Sequence, residues 1–165
     1  MSGLTYPDLH HVRAAEGWLA LGAIEDAAAE LRRLTPAAQG QPEVLELRWN
    51  LAVHRGQWEA ALDLARLVVI AAPDQPTGWI HQSYALHELK RTDEAWNLLR
   101  PMVERFPTDS TIPYNLACYA CKLGDLGVAR EWLRRAIKLR GKAEIKAMAA
   151  EDADLQPLRP WVETL

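Results

Sequence analysis

The chain repeats itself every 34 residues. Gly22, Gly56, Lys90 and Gly124 hold one phase of the repeat, Ala27, Ala61, Ala95 and Ala129 a second, and Leu31, Ala65, Leu99 and Leu133 a third. A fixed period of this length marks one supersecondary unit stacked on copies of itself, because a single unit cannot bury its apolar face alone. Stacked helical repeats offer an extended curved surface, not a closed catalytic cleft. The mode of action to expect is therefore binding.

A length of 165 residues accommodates four such units, at 8–41, 42–75, 76–109 and 110–143. They make a repeat domain over 1–143. Residues 144–165 are left over and are expected to form a helical cap, since a terminal repeat has no neighbour for its outer face. With 49% hydrophobic and 25% charged residues the composition is ordinary for a globular domain. A net charge of −3 gives no general attraction to nucleic acid or to an anionic membrane. The opening MSGLTYPDLHHVRAAEG lacks a basic start followed by an apolar core, so no signal peptide is expected. No apolar run approaches the ~20 residues that cross a bilayer. Two cysteines are too few for a disulfide framework. Together these points predict a cytoplasmic protein in a reducing compartment.

Each unit reads as helix, turn, helix. In residues 42–75, Pro42 suits a first helical turn, where its missing N–H has no partner to lose. Leu45, Leu47, Trp49, Leu51, Ala52 and Val53 follow and are apolar on more than one side, as in a helix packed on both flanks. Gly56 ends it, and a second helix is expected from Trp58 to Ala71, stopped by Pro73. The recurring alanines fit points where two helices approach closely. Lys90 stands where the other units have glycine, so it is expected at positive φ. Pro101 lies inside a second helix, removes the bond to the Asn97 carbonyl and should bend the helix there. Pro36 comes early, so the second helix of the first unit is expected only over about 25–34, with 35–41 as a loop. The remainder reads as a helix to about Glu151, a turn, and a last helical piece that folds Leu155, Leu158 and Trp161 back onto the final repeat.

The pattern resembles the tetratricopeptide repeat family. Trp79 matches the large residue at that family's position 4, Ala15 and Ala117 its small residue at position 8, and Ala27, Ala61, Ala95 and Ala129 its alanine at position 20. Ala136 matches position 27, and Pro73 and Pro107 match position 32. The string YNLACYACKLGD at 114–125 is especially close, and the tail AAEDADLQPLRPW looks like the ending of many bacterial members. Trp49 and Ser83 at position 8, Pro113 at position 4 and the early Pro36 depart from the pattern. The resemblance covers 8–143. It implies an all-α fold, a right-handed α-α superhelix of four helix pairs with a C-terminal cap.

It also implies a concave groove lined by the first helix of each pair. The inward positions carry Leu9, Val12, Glu16, Leu19 and Ala20, then Glu43, Glu46, Asn50, Val53 and His54. Thr77, Ile80, Tyr84, His87 and Glu88 follow, and then Thr111, Tyr114, Cys118, Cys121 and Lys122, with Asn115 at the edge. Aromatic, apolar and neutral polar groups of this kind suit an extended segment or a helix of a partner protein. Asn50, His54, Tyr84, His87, Tyr114, Asn115, Cys118 and Cys121 are the candidate peptide-binding residues. The blander alternative is that the tyrosines pack between neighbouring helices. One subgroup of the family grips chaperone C-terminal carboxylates with a clamp of two lysines, two asparagines and an arginine. The matching positions are Val12, Glu16, Leu47, Thr77 and His81 in one register, and Glu46, Asn50, His81, Thr111 and Asn115 in the other. Only the two asparagines fit and Glu46 would repel a carboxylate, so that ligand is rejected.

Cys118 and Cys121 form a C-x-x-C within a helix, not in the strand–helix setting of redox motifs, and His87 would be a third soft ligand. Zinc would require a further ligand, so the pair is expected to be reduced and metal-free, two small apolar groups in a tight packing site. Arg130, Arg134, Arg135, Lys138, Arg140, Lys142 and Lys146 outnumber Glu131 and Glu144 in the last repeat and its sequel. Nucleic acid is the sharp reading of that stretch; a solvated face neutralised by Glu151, Asp152 and Asp154 is the favoured one. No phosphate loop, zinc pair or catalytic set is legible, so no catalytic residue and no cofactor is expected. The leading expectation is a protein-binding adaptor. Self-association through repeat faces or the cap is the alternative, and nucleic-acid binding a weaker third.

Overall fold

Four helix ends repeat one backbone design. In the computed structural model, which describes residues 3–165, Gly22, Lys90, Gly56 and Gly124 all take positive φ, at 73°, 64°, 66° and 87°. The amide after each reaches back to a carbonyl five residues earlier: Ala23 to Trp18, Gln57 to Ala52, Arg91 to Leu86 and Asp125 to Ala120, at 2.9 Å in every case. The amide of the positive-φ residue itself bonds three residues back, Gly22 to Leu19, Gly56 to Val53, Lys90 to His87 and Gly124 to Cys121. This is the Schellman ending, which satisfies carbonyls that the helix leaves without partners. Lys90 adopts it without the freedom of glycine, as the period requires.

The helices are α1 (Asp8–Ala20), α2 (Ile24–Arg32), α3 (Pro42–His54), α4 (Trp58–Ala71), α5 (Pro76–Glu88), α6 (Thr92–Leu99), α7 (Met102–Arg105), α8 (Thr111–Lys122), α9 (Leu126–Arg140), α10 (Lys142–Glu151) and α11 (Arg159–Glu163). A 3-10 turn spans Ala153–Leu158. Among the described residues there is no strand. Met1 and Ser2, which open the stretch read for a leader, lie outside the described residues. The chain divides into two compact units, one ending at Ala85 and the other spanning Leu86–Leu165.

In the first unit α1 packs on α2 and α3 on α4. Its core gathers Val12, Ala15, Ala27, Leu31, Val44, Leu47 and Leu51. Ala27, Ala61 and Ala65 are fully buried, as points of close helix approach should be. α5 approaches α4 so closely that a Cβ on Gly78 would lie 2.7 Å from the Val69 amide nitrogen. The second helix of the first repeat ends at Arg32, and 35–41 is a loop, because Pro36 forbids continuation. Asp8 braces the loop: its carboxylate accepts from the Thr35 amide at 2.8 Å and from the Thr35 hydroxyl at 2.6 Å.

In the second unit α8 packs on α9, and α6 and the 3-10 turn pack on α8. Ala95, Leu99, Ala129, Leu133 and Ala136 are fully buried. Pro101 does more than bend its helix: α6 stops at Leu99 and α7 restarts at Met102. The tail folds back as expected. Leu155 and Leu158 are fully buried, and Trp161 lies beneath the guanidinium groups of Arg130 and Arg134 at 6.0 and 5.3 Å from the ring centre.

Candidate functional site: the first-helix faces of the two units

α8 is apolar almost all round, and its buried residues include Tyr114, Cys118 and Cys121. The polar atoms among them are met by the chain's own tail. The Tyr114 hydroxyl donates to Asp152 Oδ2 at 2.9 Å, and the Cys118 thiol donates to the same oxygen at 3.5 Å. Asp152 also caps the 3-10 turn, its other oxygen accepting from the Asp154 amide at 2.9 Å. Asp154 in turn lies 2.8 Å from His87 Nε2 and 3.0 Å from Lys122 Nζ. The remaining ring nitrogen of His87 is 3.1 Å from the Thr92 hydroxyl.

These contacts set the acid–base character of the face. Burial, then the neighbouring Cys118 and Asp152, push the Tyr114 hydroxyl well above the usual phenol range. Burial and Asp152 push the Cys118 thiol up, and burial brings Cys121 to about 11. Both thiols are protonated at neutral pH and poor nucleophiles. Burial alone would raise Asp154, but the bonds from Lys122 and His87 outweigh it and hold the carboxyl low. Lys122 is raised by its bond to Asp154. Both cysteines are free, and no group of three or more His, Cys, Asp or Glu that could hold a metal is found among the described residues.

The first-helix face of the other unit is arranged differently. His54 is exposed, its Nδ1 2.8 Å from the Asn50 carbonyl, and Asn50 is half-buried. Trp49 occupies a position where the repeat pattern has a small residue. It turns this bulk to use by stacking face to face on His81, with centroids 3.6 Å apart and planes 3° from parallel. Tyr84 meets Trp58 edge-on at 5.7 Å and lies 6.4 Å from Trp49. Burial lowers His81 to about 4, so the ring is neutral at pH 7. Among the described residues, three buried polar atoms have no hydrogen-bond partner: Glu43 Oε2, Trp49 Nε1 and His81 Nδ1. Burial and the neighbouring Glu43 raise Glu46 above the ordinary carboxylate range.

The candidate residues thus divide by exposure. Asn50, His54 and Tyr84 in the first unit and Asn115 in the second are exposed or half-buried, whereas His87, Tyr114, Cys118 and Cys121 are buried. The tail aspartates do not neutralise the basic helix, which corrects one expectation. Asp152 and Asp154 turn to α8 and His87, and α9 instead rests Arg130 and Arg134 on Trp161 and Arg135 on Trp132. Sequence reading also missed Trp49 with His81 as a stacked pair; the signal was a bulky aromatic at a small-residue position.

No protein-family model matches the sequence, and no curated protein matches it. Solved structures do. TTC0263, a thermophilic tetratricopeptide-repeat protein of Thermus thermophilus, matches with a TM-score of 0.73 over 96% of this chain and 100% of its own, at 18% identity. The chain has the tetratricopeptide-repeat fold. MamA of Desulfovibrio magneticus RS-1 matches with a TM-score of 0.70 over 96% of this chain and 92% of its own, at 16% identity. The APC/C hetero-tetramer Cut9–Hcn1 matches with a TM-score of 0.72 over 95% of this chain and 30% of the matched one, at 15% identity. No helix among the described residues is long and apolar enough to cross a membrane.

Proposed function

We propose that this tetratricopeptide-repeat chain is a non-enzymatic adaptor that binds a segment of a partner protein on the first-helix face of its helix pairs. The division into repeats at 8–41, 42–75, 76–109 and 110–143, followed by a cap at 144–165, belongs to this proposal, as does a cytoplasmic location. The observation that carries it is the accessible mixed surface of α3 and α5, where Asn50, His54 and Tyr84 stay exposed or half-buried within their unit. Such a surface offers an aromatic anchor beside neutral polar groups, the composition from which a few residues supply most of an interface's affinity. The fold supports the same reading, because function in repeat proteins rests on extended surfaces. The Cut9–Hcn1 structure is itself a hetero-tetramer, an assembly of the kind proposed here.

The test is capture of a partner from the native cell by the full chain, followed by titration of that partner. Tyr84→Ala is expected to weaken binding by about 2 kcal/mol, as truncation of an aromatic anchor does. Arg100→Ala, an exposed change on the second-helix side, should leave binding unaltered. A Tyr84→Ala protein that folds and binds like wild type sinks the reading.

A second reading, self-association, is favoured by one feature of the first unit. A depression of about 500 Å³ is lined by Leu45, Leu64, Leu67 and Ile70, and Leu67 and Ile70 are 48% and 75% exposed. Elution at twice the monomer mass, reversed by Ile70→Lys, would favour it.

A further inference from the structure

α3 brings Glu43, Glu46 and Trp49 onto successive turns of one helix, and Glu43 and Trp49 each bury a side-chain atom without a partner. Glu43 buries a carboxylate oxygen that nothing in the unit meets, and Trp49, itself 7% exposed, buries an indole N–H in the same condition. His81, held flat against Trp49, adds a third unpartnered atom, its Nδ1. Unpaired buried polar groups are rare, because each forfeits its hydrogen bonds to water without replacement. Two of these atoms belong to one stacked pair and the third stands on the same helix as Trp49; together they point to a group that is supplied from outside.

The charge around them says what that group is. The inward positions of the first unit hold Glu16, Glu43 and Glu46 and no lysine or arginine. Among the described residues no ion pair is found for Glu43 or Glu46; Arg55 pairs with Glu25, Arg66 with Asp63 and Arg33 with Glu30, and Arg48 bonds Gln39. Glu46 lies close enough to Glu43 for that carboxylate, after burial, to disfavour the charge on Glu46. A cation between them would remove that repulsion and fill the vacant acceptor positions. A guanidinium presents five donors in a planar fork suited to carboxylates, and an ammonium three. An extended peptide also has a carbonyl to accept from Trp49 Nε1.

We infer that this face receives an arginine or lysine side chain from an extended segment of a partner protein, with Glu43 and Glu46 as its carboxylates and Trp49 Nε1 as donor to the segment's backbone. The inference rests on the adaptor reading and narrows it to a basic partner.

The probe is a displayed library of random short peptides, selected on the full chain at low salt. Peptides recovered on wild type should be enriched in arginine and lysine. Binding should fall by roughly tenfold or more in E43Q/E46Q, and fall with added salt. Both changes are isosteric, and E46Q alone, at the carboxylate that burial raises, serves should the double variant fail to fold. Asn50→Ala reads the same face without altering its charge. Peptides that are lost with Asn50→Ala yet show no basic enrichment overturn the inference and leave the adaptor reading standing. Peptides indifferent to Asn50→Ala and to E43Q/E46Q alike overturn both, and a library that yields no binder overturns the inference.

Discussion

On α8 the hydroxyl of Tyr114 and the thiol of Cys118 end on Asp152, and His87 and Lys122 end on Asp154. On α3 a carboxylate oxygen and an indole N–H end on nothing, and Glu46 faces another acid. Both faces occupy the same place in the repeat pattern and differ in the segment that comes after them in the chain. The second unit has a tail rich in carboxylates, folded onto its first-helix face and held by buried Leu155 and Leu158. Among the described residues of the first unit, no tail carboxylate meets the unpartnered atoms of α3. A repeat fold therefore does not give equivalent positions equal chemistry: one face is closed by its own chain, and the chemically incomplete one is the face proposed for recognition.

The most forceful test of this contrast is Asp152→Ala. It removes the acceptor of two buried donors and the cap of the 3-10 turn together, and should cost about 2–3 kcal/mol in urea unfolding. Amides of α8 should lose protection from hydrogen exchange. In the other unit E43Q/E46Q should be neutral or mildly stabilising. Equal losses in both proteins would erase the distinction between a satisfied and an unsatisfied face.

Gly78→Ala sharpens the picture of the open face, because α5 must lie close to α4 to carry His81 onto Trp49. Alanine in a helix ordinarily stabilises over glycine by roughly 0.5–1 kcal/mol. Here the new Cβ would meet backbone at 2.7 Å, so the sign should reverse, with a loss of about 1–3 kcal/mol. Gly17→Ala on α1, where a Cβ would meet nothing within 4 Å, should show the ordinary gain. A gain at both positions would mean that the α4–α5 approach is loose.

Lys90→Gly concerns the second unit. Three of the four Schellman turns have glycine, and the fourth holds Lys90 at φ 64°. Relief of the left-handed conformation should raise stability by about 1 kcal/mol, seen as a higher thermal midpoint. No change would show that the turn is under no strain.

The fold was legible because it is written in period. Gly56 and Ala61 recur at fixed distance, and the backbone follows that phase even where Lys90 replaces glycine. Pro101 was legible as a defect, though it breaks the helix where only a bend was expected. The first-helix faces were less legible. Position within the repeat gives an expectation of which residues face inward, but whether another segment covers them depends on long-range folding, such as Asp152 reaching Tyr114 across 38 residues. The stack of Trp49 on His81 needs the separation and tilt of α3 and α5, which no spacing in sequence conveys. Departures from the repeat pattern, Trp49 above all, were the marks of chemistry particular to this chain.

The smallest expected effect is the most discriminating, since the two faces should respond to pH with opposite sign. Asp154 is held below its ordinary value of 3.8 by Lys122 and His87. A depressed carboxylate contributes stability that is present above its unfolded pKa and lost as pH falls through the folded one. Asp154→Asn should therefore cost stability at pH 7, with the gap to wild type closing in acid. Glu46 is raised above its ordinary value of 4.5 by burial and by Glu43. Its contribution is present below the unfolded value and is lost as pH rises through the folded one, so the charged form is a burden at pH 7. Glu46→Gln should then melt above wild type at pH 7 and level with it below pH 4.5. Solvent at this half-buried site should limit the gain to about 0.5 kcal/mol. Curves for the two variants that converge on wild type in acid from opposite sides support one self-satisfied and one unsatisfied face. A Glu46→Gln protein less stable than wild type at pH 7 would mean that Glu46 already has its cation within the chain, and the first unit's face would lose its claim to a basic partner.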